Sequence, residues 1–321
     1  MNPSTEEAAA LGRRLAAGDR SAAPAALNVL ERRGAGAQEA SDALIGEISP
    51  QQLGSETAGM IVGITGPPGA GKSTLLAELI SRWRARDKSV AVLAIDPSSK
   101  RSGGSLLGDR ARMAVDSRDD AVLVRSSATA TRLGGLAPTT RESAIALSAA
   151  FDVVIVETVG VGQSETDIAE LADIVVVIVQ PASGDVLQFI KSGVMEIPDL
   201  LVVTKSDLGR IAGAAARDLR AAVRTLGSAT KVLQVSSIAP TEGIDELIDG
   251  VEQQFAVLEL TERRSQARRY AALDAFVHEN GERGLRALGG RRAAERLLAG
   301  QPSGLGHREL RRLLDQRADG A

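Results

Sequence analysis

The sequence contains no cysteine. Disulfides and thiolate metal sites are excluded, and cysteine usage leaves the redox compartment open. Histidine is scarce as well: His278 and His307 are the only two, both late in the chain. A histidine-built metal centre is not expected. Long hydrophobic runs are missing too. The most apolar stretch, Ile174 to Val179, is far too short to cross a bilayer. The first twenty residues mix Glu6, Glu7 and Asp19 with Arg13, Arg14 and Arg20 and hold no apolar stretch of signal-peptide length. A soluble, cytoplasmic protein without membrane association is the expectation. The formal net charge is only −3, which predicts no general attraction to nucleic acid or anionic membrane.

What is present is enough apolar material for a packed core: 321 residues, 44% of them hydrophobic. Residues 1–57 read as a helical segment, with Ala8, Leu11 and Leu15, then Leu27 and Leu30, then Ala43, Leu44 and Ile48 at helix spacing. Asp19 and Ser41 are candidate N-caps. This prelude either packs on the main domain or meets a partner. Residues 58–255 alternate strand and helix. The strand candidates are Met60–Thr65, Val90–Ile95, Ala121–Arg125, Val153–Glu157, Ile174–Val179, Leu200–Thr204 and Lys231–Val235. Several are unbroken runs of Val, Ile and Leu, as in parallel strands buried on both faces. The order argues a doubly wound, mainly parallel α/β sheet flanked by helical segments. Residues 256–321 turn helical and arginine-rich, with pairs at Arg263-Arg264, Arg268-Arg269, Arg291-Arg292 and Arg311-Arg312. Charges of both signs on such helices predict solvated faces. The other reading is an arm that meets a second subunit or a client protein.

The stretch Gly66-Pro67-Pro68-Gly69-Ala70-Gly71-Lys72-Ser73-Thr74 fits Gly, four residues, then Gly-Lys-Ser, between a predicted strand and an amphipathic helix from Leu75 to Arg86. Glycines let backbone N–H groups approach phosphates, and the helix start adds unpaired donors with partial positive charge. Lys72 would reach the outer phosphates, and the Ser73 hydroxyl would ligate magnesium.

Ligands of doubly wound folds lie at the carboxyl ends of the strands, and the remaining signals gather there. The fourth strand ends in Glu157, where P-loop proteins place a carboxylate that organises magnesium. Three residues on, Gly160 can offer its N–H to a γ-phosphate. The sixth strand ends Thr204-Lys205-Ser206-Asp207, the shape of a guanine-reading element. Asp207 would accept from the guanine N1–H and exocyclic amine, and adenine would leave that carboxylate unpaired, at a cost of at least ~1–3 kcal/mol. Lys205 would lie along base and ribose. In the loop after the seventh strand, Ser237, Ile238 and Ala239 are candidates to place a backbone N–H on guanine O6. Asp96 and Asp109, in the polar region after the second strand, are candidates for the metal or the attacking water; Asp109 is otherwise an N-cap.

Together these residues resemble the MeaB/ArgK family of P-loop GTPases. The likeness rests on Gly66–Thr74, Asp96–Ser99, Gly103–Met113, the string Glu157-Thr158-Val159-Gly160-Val161-Gly162-Gln163-Ser164-Glu165, and Gly184-Asp185 through Gly193. The resemblance implies GTP and GDP as ligands with Mg2+. It also implies a partner, an adenosylcobalamin-dependent acyl-CoA mutase of the methylmalonyl-CoA type, whose cofactor loading the GTPase gates. A homodimer joined through C-terminal helices is implied too, with slow turnover that the partner stimulates. By the same likeness Lys191 is a candidate for stabilising transition-state charge; it is otherwise a surface lysine. The sequence departs from the family pattern at Thr204, where Asn is usual, and in the wording around Pro181-Ala182-Ser183 and Phe189, which leaves the partner mutase open.

Rival readings are a nickel-insertion GTPase, a small-molecule kinase or transport ATPase, and a targeting GTPase for membrane proteins. The first normally carries Cys or His near its switch loops, the second must tolerate ATP against Asp207, and the third expects a Met-rich tail where this chain has four methionines in all.

Overall fold

In a computed structural model the described residues are 4–96, 118–128, 136–158, 167–181 and 198–320. Four helices come first: α1 (Thr5–Ala16), α2 (Ala23–Leu30), α3 (Ala37–Glu47) and the short α4 (Pro50–Leu53). The central part runs β1 (Met60–Thr65), α5 (Lys72–Ala85), β2 (Val90–Asp96), β3 (Val122–Ala128), α6 (Pro138–Ser148), β4 (Val153–Thr158), β5 (Ile174–Val179), β6 (Leu200–Val203), α7 (Arg210–Thr225), β7 (Lys231–Gln234) and α8 (Ile244–Ala256). Three more helices follow: α9 (Leu260–Ala287), α10 (Arg291–Ala299) and α11 (His307–Asp319). Among the described residues no helix is long and apolar enough to cross a membrane.

The seven strands form one parallel sheet in the order β3-β2-β4-β1-β5-β6-β7. β1 lies between β4 and β5: the chain crosses from β1 to β2 and β3 on one side, returns to β4, and then continues through β5, β6 and β7 on the other side. That is the switch point at which such sheets open a crevice. The strands are apolar throughout because both faces are covered. On one face Leu75, Leu76, Leu79, Ile80 and Trp83 of α5 pack with Ile244, Leu247 and Ile248 of α8 against Val62, Ile64 and Val176. Those α5 residues recur at helical spacing, which gives the helix one apolar stripe. On the other face α6, α7 and the N-terminal helices bury Leu27, Leu44, Leu147 and Leu219 against Ile61, Val154 and Val175. A separate apolar cluster joins Phe276, Leu285, Leu298, Leu310 and Leu314 of α9, α10 and α11.

Asp19 caps a 3-10 turn at Arg20–Ala22, its side chain accepting from Ser21 N. Ser41 is not a cap: it is buried inside α3, whose first residue follows Gly36 in the left-handed region. A small hydroxyl lies where the helix meets its neighbours, so packing rather than capping selects it. The arginine pairs opening α9 also depart from the solvated faces expected. Arg264 and Arg268 are buried. Arg264 clasps Asp173, and Arg268 donates to both oxygens of Glu56, at 3.0 and 2.7 Å. Charge pattern alone cannot distinguish a solvated arginine from one whose partner lies 91 or 212 residues away in sequence, and here the latter holds.

Candidate nucleotide-binding site

The carboxyl tips of β1, β4, β5, β6 and β7 line one edge of the sheet. Gly66 follows β1 and presses against β5; a Cβ there would lie 2.5 Å from Ile178 O, so only glycine fits this approach. Gly71, at φ 86°, sets the entry to α5 without a side-chain cap. The first turn of α5 therefore offers backbone N–H groups to an anion rather than to its own sequence. Lys72, on that turn, is buried, and its Nζ donates to Gly66 O at 2.7 Å and Pro67 O at 3.1 Å. Burial lowers its pKa, and the Glu157 carboxylate opposes that effect. A buried ammonium held by neutral carbonyls is poised for a stronger, charged acceptor. Ser73 is half-buried and Thr74 exposed on the same turn.

The Thr204–Asp207 element closes over this loop from the β6 side. Thr204 Oγ1 donates to Ala70 O at 2.7 Å, and Lys205 Nζ donates to Gly69 O at 2.9 Å. Lys205 takes a left-handed backbone, φ 56°, that starts the tight turn at Ser206–Leu208. Ser206 N donates to Val235 O, which ties the turn to the end of β7. Asp207 is exposed, and its Oδ1 lies 3.1 Å from the Ser236 hydroxyl. Ser236 Oγ also lies 3.3 Å from both Ile238 N and Ile238 O, which folds the Ser237–Ala239 loop beside Asp207. The structure thus brings together Gly66–Thr74, Thr204, Lys205, Asp207, Ser237, Ile238 and Ala239. Gln180, at the tip of β5, was not foreseen. With its amide oriented to suit both neighbours, its nitrogen donates to Gly69 O at 3.2 Å and its oxygen accepts from Lys205 Nζ at 3.2 Å. The available signal was a polar residue ending an apolar strand, as at Glu157.

Glu157 pairs in register with Ile64 of β1 and Ala94 of β2, and its charge reaches Lys72. Asp96 ends β2 beside Ala128 of β3; its side chain lies outside the described residues, as do Asp109, Gly160 and Lys191. Among the described residues no three His, Cys, Asp or Glu side chains form a metal cage. The donors near Lys72, a serine hydroxyl and a carboxylate, are hard oxygen. That set fits Mg2+, which takes one or two protein oxygens and fills its remaining positions with phosphate and water. Thr65 and Thr158, at the tips of β1 and β4, each bury a hydroxyl without a hydrogen-bond partner. Clefts of about 420 and 520 Å3 open elsewhere, beside Asp42, His307 and Arg308. They lie away from the phosphate loop and are lined by guanidinium–carboxylate pairs of the fold.

A family model described as methylmalonyl Co-A mutase-associated GTPase MeaB matches residues 23–285. The chain belongs to this family. A relative from Caulobacter vibrioides that carries GTPase in its name is 41% identical over 271 residues, 83% of this chain and 81% of the relative. A mouse protein named methylmalonic aciduria type A homolog, mitochondrial, is 48% identical over 147 residues, 46% of this chain and 35% of that protein. A crystal structure described as a LAO/AO transport system kinase superposes with a TM-score of 0.65 at 29% identity, covering 96% of each chain. This MeaB-family member is therefore a P-loop GTPase with a doubly wound parallel sheet.

Proposed function

We propose that this GTPase binds GTP and GDP at Gly66–Thr74 and Thr204–Asp207 and acts as a chaperone of an adenosylcobalamin-dependent acyl-CoA mutase, gating its cofactor loading. The observation that carries the nucleotide part is the contact of the guanine-reading element with the phosphate loop, through Thr204 to Ala70 O and Lys205 to Gly69 O. Two side chains of the guanine-reading element, each on a backbone carbonyl of the phosphate loop, set the distance between base and phosphates. The mutase part rests on the family description and on the mouse relative's name.

In this reading Lys72 exchanges its carbonyl partners for the β- and γ-phosphates and neutralises charge that develops as water attacks in line. Backbone N–H groups of Gly69 to Thr74 cradle the phosphates, and Gly160 N–H meets the γ-phosphate. Asp207, held by the Ser236 hydroxyl, reads guanine, with Lys205 along the base and Ser237–Ala239 at O6. Ser73, Glu157, Asp96 and Asp109 would be the oxygen donors toward Mg2+, which would supply positive charge against the phosphates. Lys191 adds a cation at the γ-phosphate when the partner is bound; such groups are worth ~10³–10⁵ in rate. The same reading divides the chain into a helical segment 1–57, a nucleotide-binding unit 58–255 and a dimerising helical segment 256–321, in a cytoplasmic protein.

GTP turnover measured with and without a purified methylmalonyl-CoA mutase tests this directly. Stimulation is expected, with Lys191→Ala retaining nucleotide affinity and losing the stimulated part. Equal turnover with and without mutase contradicts the chaperone assignment.

A further inference from the structure

The strand order β1-β5-β6 puts the tip of β5 between the phosphate loop, which follows β1, and the Thr204–Asp207 element, which follows β6. Gly66 closes against Ile178 of β5, and Thr204 N donates to Val179 O at 3.2 Å. Gln180 is the next residue. Side chains alternate along a strand, and Val176 and Ile178 pack on the α5 face of the sheet. The same alternation sends Gln180 to the face that carries the phosphate loop into α5. Pro181 follows and disfavours helical backbone at Gln180, so the strand direction is kept to its tip. There the amide meets both neighbours. Its Nε2 donates to Gly69 O and its Oε1 accepts from Lys205 Nζ, each at 3.2 Å. Lys205 Nζ donates to Gly69 O as well, at 2.9 Å. Three groups from three strand tips thus close one ring of hydrogen bonds.

We propose that Gln180 is a positioning residue for the nucleoside half of the ligand, holding the Lys205 ammonium at a fixed place relative to the phosphate loop. The proposal rests on the reading of Lys205 as the side chain that lies along base and ribose. A lysine stem is flexible and gives up much rotamer freedom when it is fixed. With two acceptors already in place, Lys205 is ordered before the ligand arrives, and less freedom is lost on binding. Few side chains can complete the ring. A primary amide donates to one neighbour and accepts from the other. A carboxylate could accept from Lys205, but it would face the Gly69 carbonyl oxygen without a donor and set a negative charge beside the phosphates. A lysine or arginine could donate to Gly69 O but would repel Lys205. The amide carries no net charge, so its effect on the ligand passes through Lys205 rather than through the phosphates.

The test uses the full chain. Titration calorimetry with Mg2+ measures the affinity for GDP and for pyrophosphate, which fills the phosphate loop without a nucleoside. The proteins are wild type, Gln180→Met, Lys205→Met and the double variant, each with its melting temperature in the absence of ligand. Gln180→Met is expected to bind GDP about tenfold more weakly, the cost of one or two net hydrogen bonds, and pyrophosphate within about twofold of wild type. Added to Lys205→Met, the same substitution should cost less than about twofold more, because the group it positions is gone. Gln180→Ala removes the same two bonds and takes the place of Gln180→Met if the latter does not fold. Unchanged GDP affinity in Gln180→Met, beside a wild type that binds GDP, overturns the role of Gln180 alone. Equal losses for GDP and pyrophosphate overturn it too, since they mark a brace of the phosphate loop. So does a tenfold loss that persists without Lys205. A wild type that does not bind GDP overturns the nucleotide reading, and the role of Gln180 with it.

Discussion

Replacing Arg264 by Met removes the most heavily bonded cation joining α9 to the sheet. Its guanidinium donates to both Asp173 oxygens, to Thr57 O and Oγ1 at 2.7 and 2.8 Å, and to Gly59 O at 2.6 Å. The side chains of Arg264 and Asp173 are 9% and 1% exposed. Without Arg264, the Asp173 carboxylate keeps the Ile61 N–H at 2.8 Å but has no counter-charge. Breaking a buried pair from one side costs about 3–5 kcal/mol. At roughly 2–4 °C per kcal/mol for a domain of this size, melting should fall by about 6–20 °C. Thermal and urea unfolding at one fixed GDP concentration would measure it, since bound ligand shifts apparent stability. Adding Asp173→Asn removes the stranded charge and keeps an acceptor for Ile61 N, so the double variant should be more stable than Arg264→Met alone. A loss below about 1 kcal/mol, or a double variant no better than the single one, would refute the argument that uncompensated charge is the cost.

Two further outcomes follow from the phosphate loop. Gly66→Ala places a Cβ 2.5 Å from the Ile178 carbonyl oxygen, so the loop must lift away from β5. GDP affinity should fall at least about tenfold by titration calorimetry, the cost of about 1.4 kcal/mol of misplacement; retained affinity would show that the loop can shift freely. The second concerns protons. Burial holds the Lys72 ammonium below the ordinary lysine value of 10.5. In the ligand-free chain the unfolded state binds that proton more tightly, so stability should rise with pH between the lowered value and 10.5. Phosphate favours the charged form, so nucleotide binding should take up a proton in that window and weaken as pH rises through it. Calorimetry in two buffers of different ionisation enthalpy reads this uptake; equal heats in both would contradict it.

The sheet was legible because fully covered parallel strands carry their own signature. Ile174–Val179 and Val153–Thr158 are runs with no polar interruption before their tips, and each tip then offers a polar residue. The phosphate loop was legible for the same local reason: spacing, glycine and a following helix lie within one short stretch. What stayed hidden depends on long-range partners. Nothing near Arg264 in sequence points to Asp173 or Thr57, and nothing near Ser41 says that α3 buries it. Gln180 was the intermediate case. Its position at a strand tip was visible, but its pairing with Lys205 and Gly69 required the strand order β1-β5-β6.

The central claim, that Asp207 and the loop of Lys72 hold one guanine nucleotide, is tested most directly by competition binding with GTP, ATP and XTP on wild type and Asp207→Asn. Wild type should prefer GTP over ATP by at least about tenfold, because adenine offers the Asp207 carboxylate no pair of donors. Asp207→Asn should lose GTP and gain XTP, because the amide can donate to the xanthine carbonyl where the carboxylate accepted from the guanine amine. ATP binding as tightly as GTP, or GTP affinity unchanged in Asp207→Asn, would contradict the account.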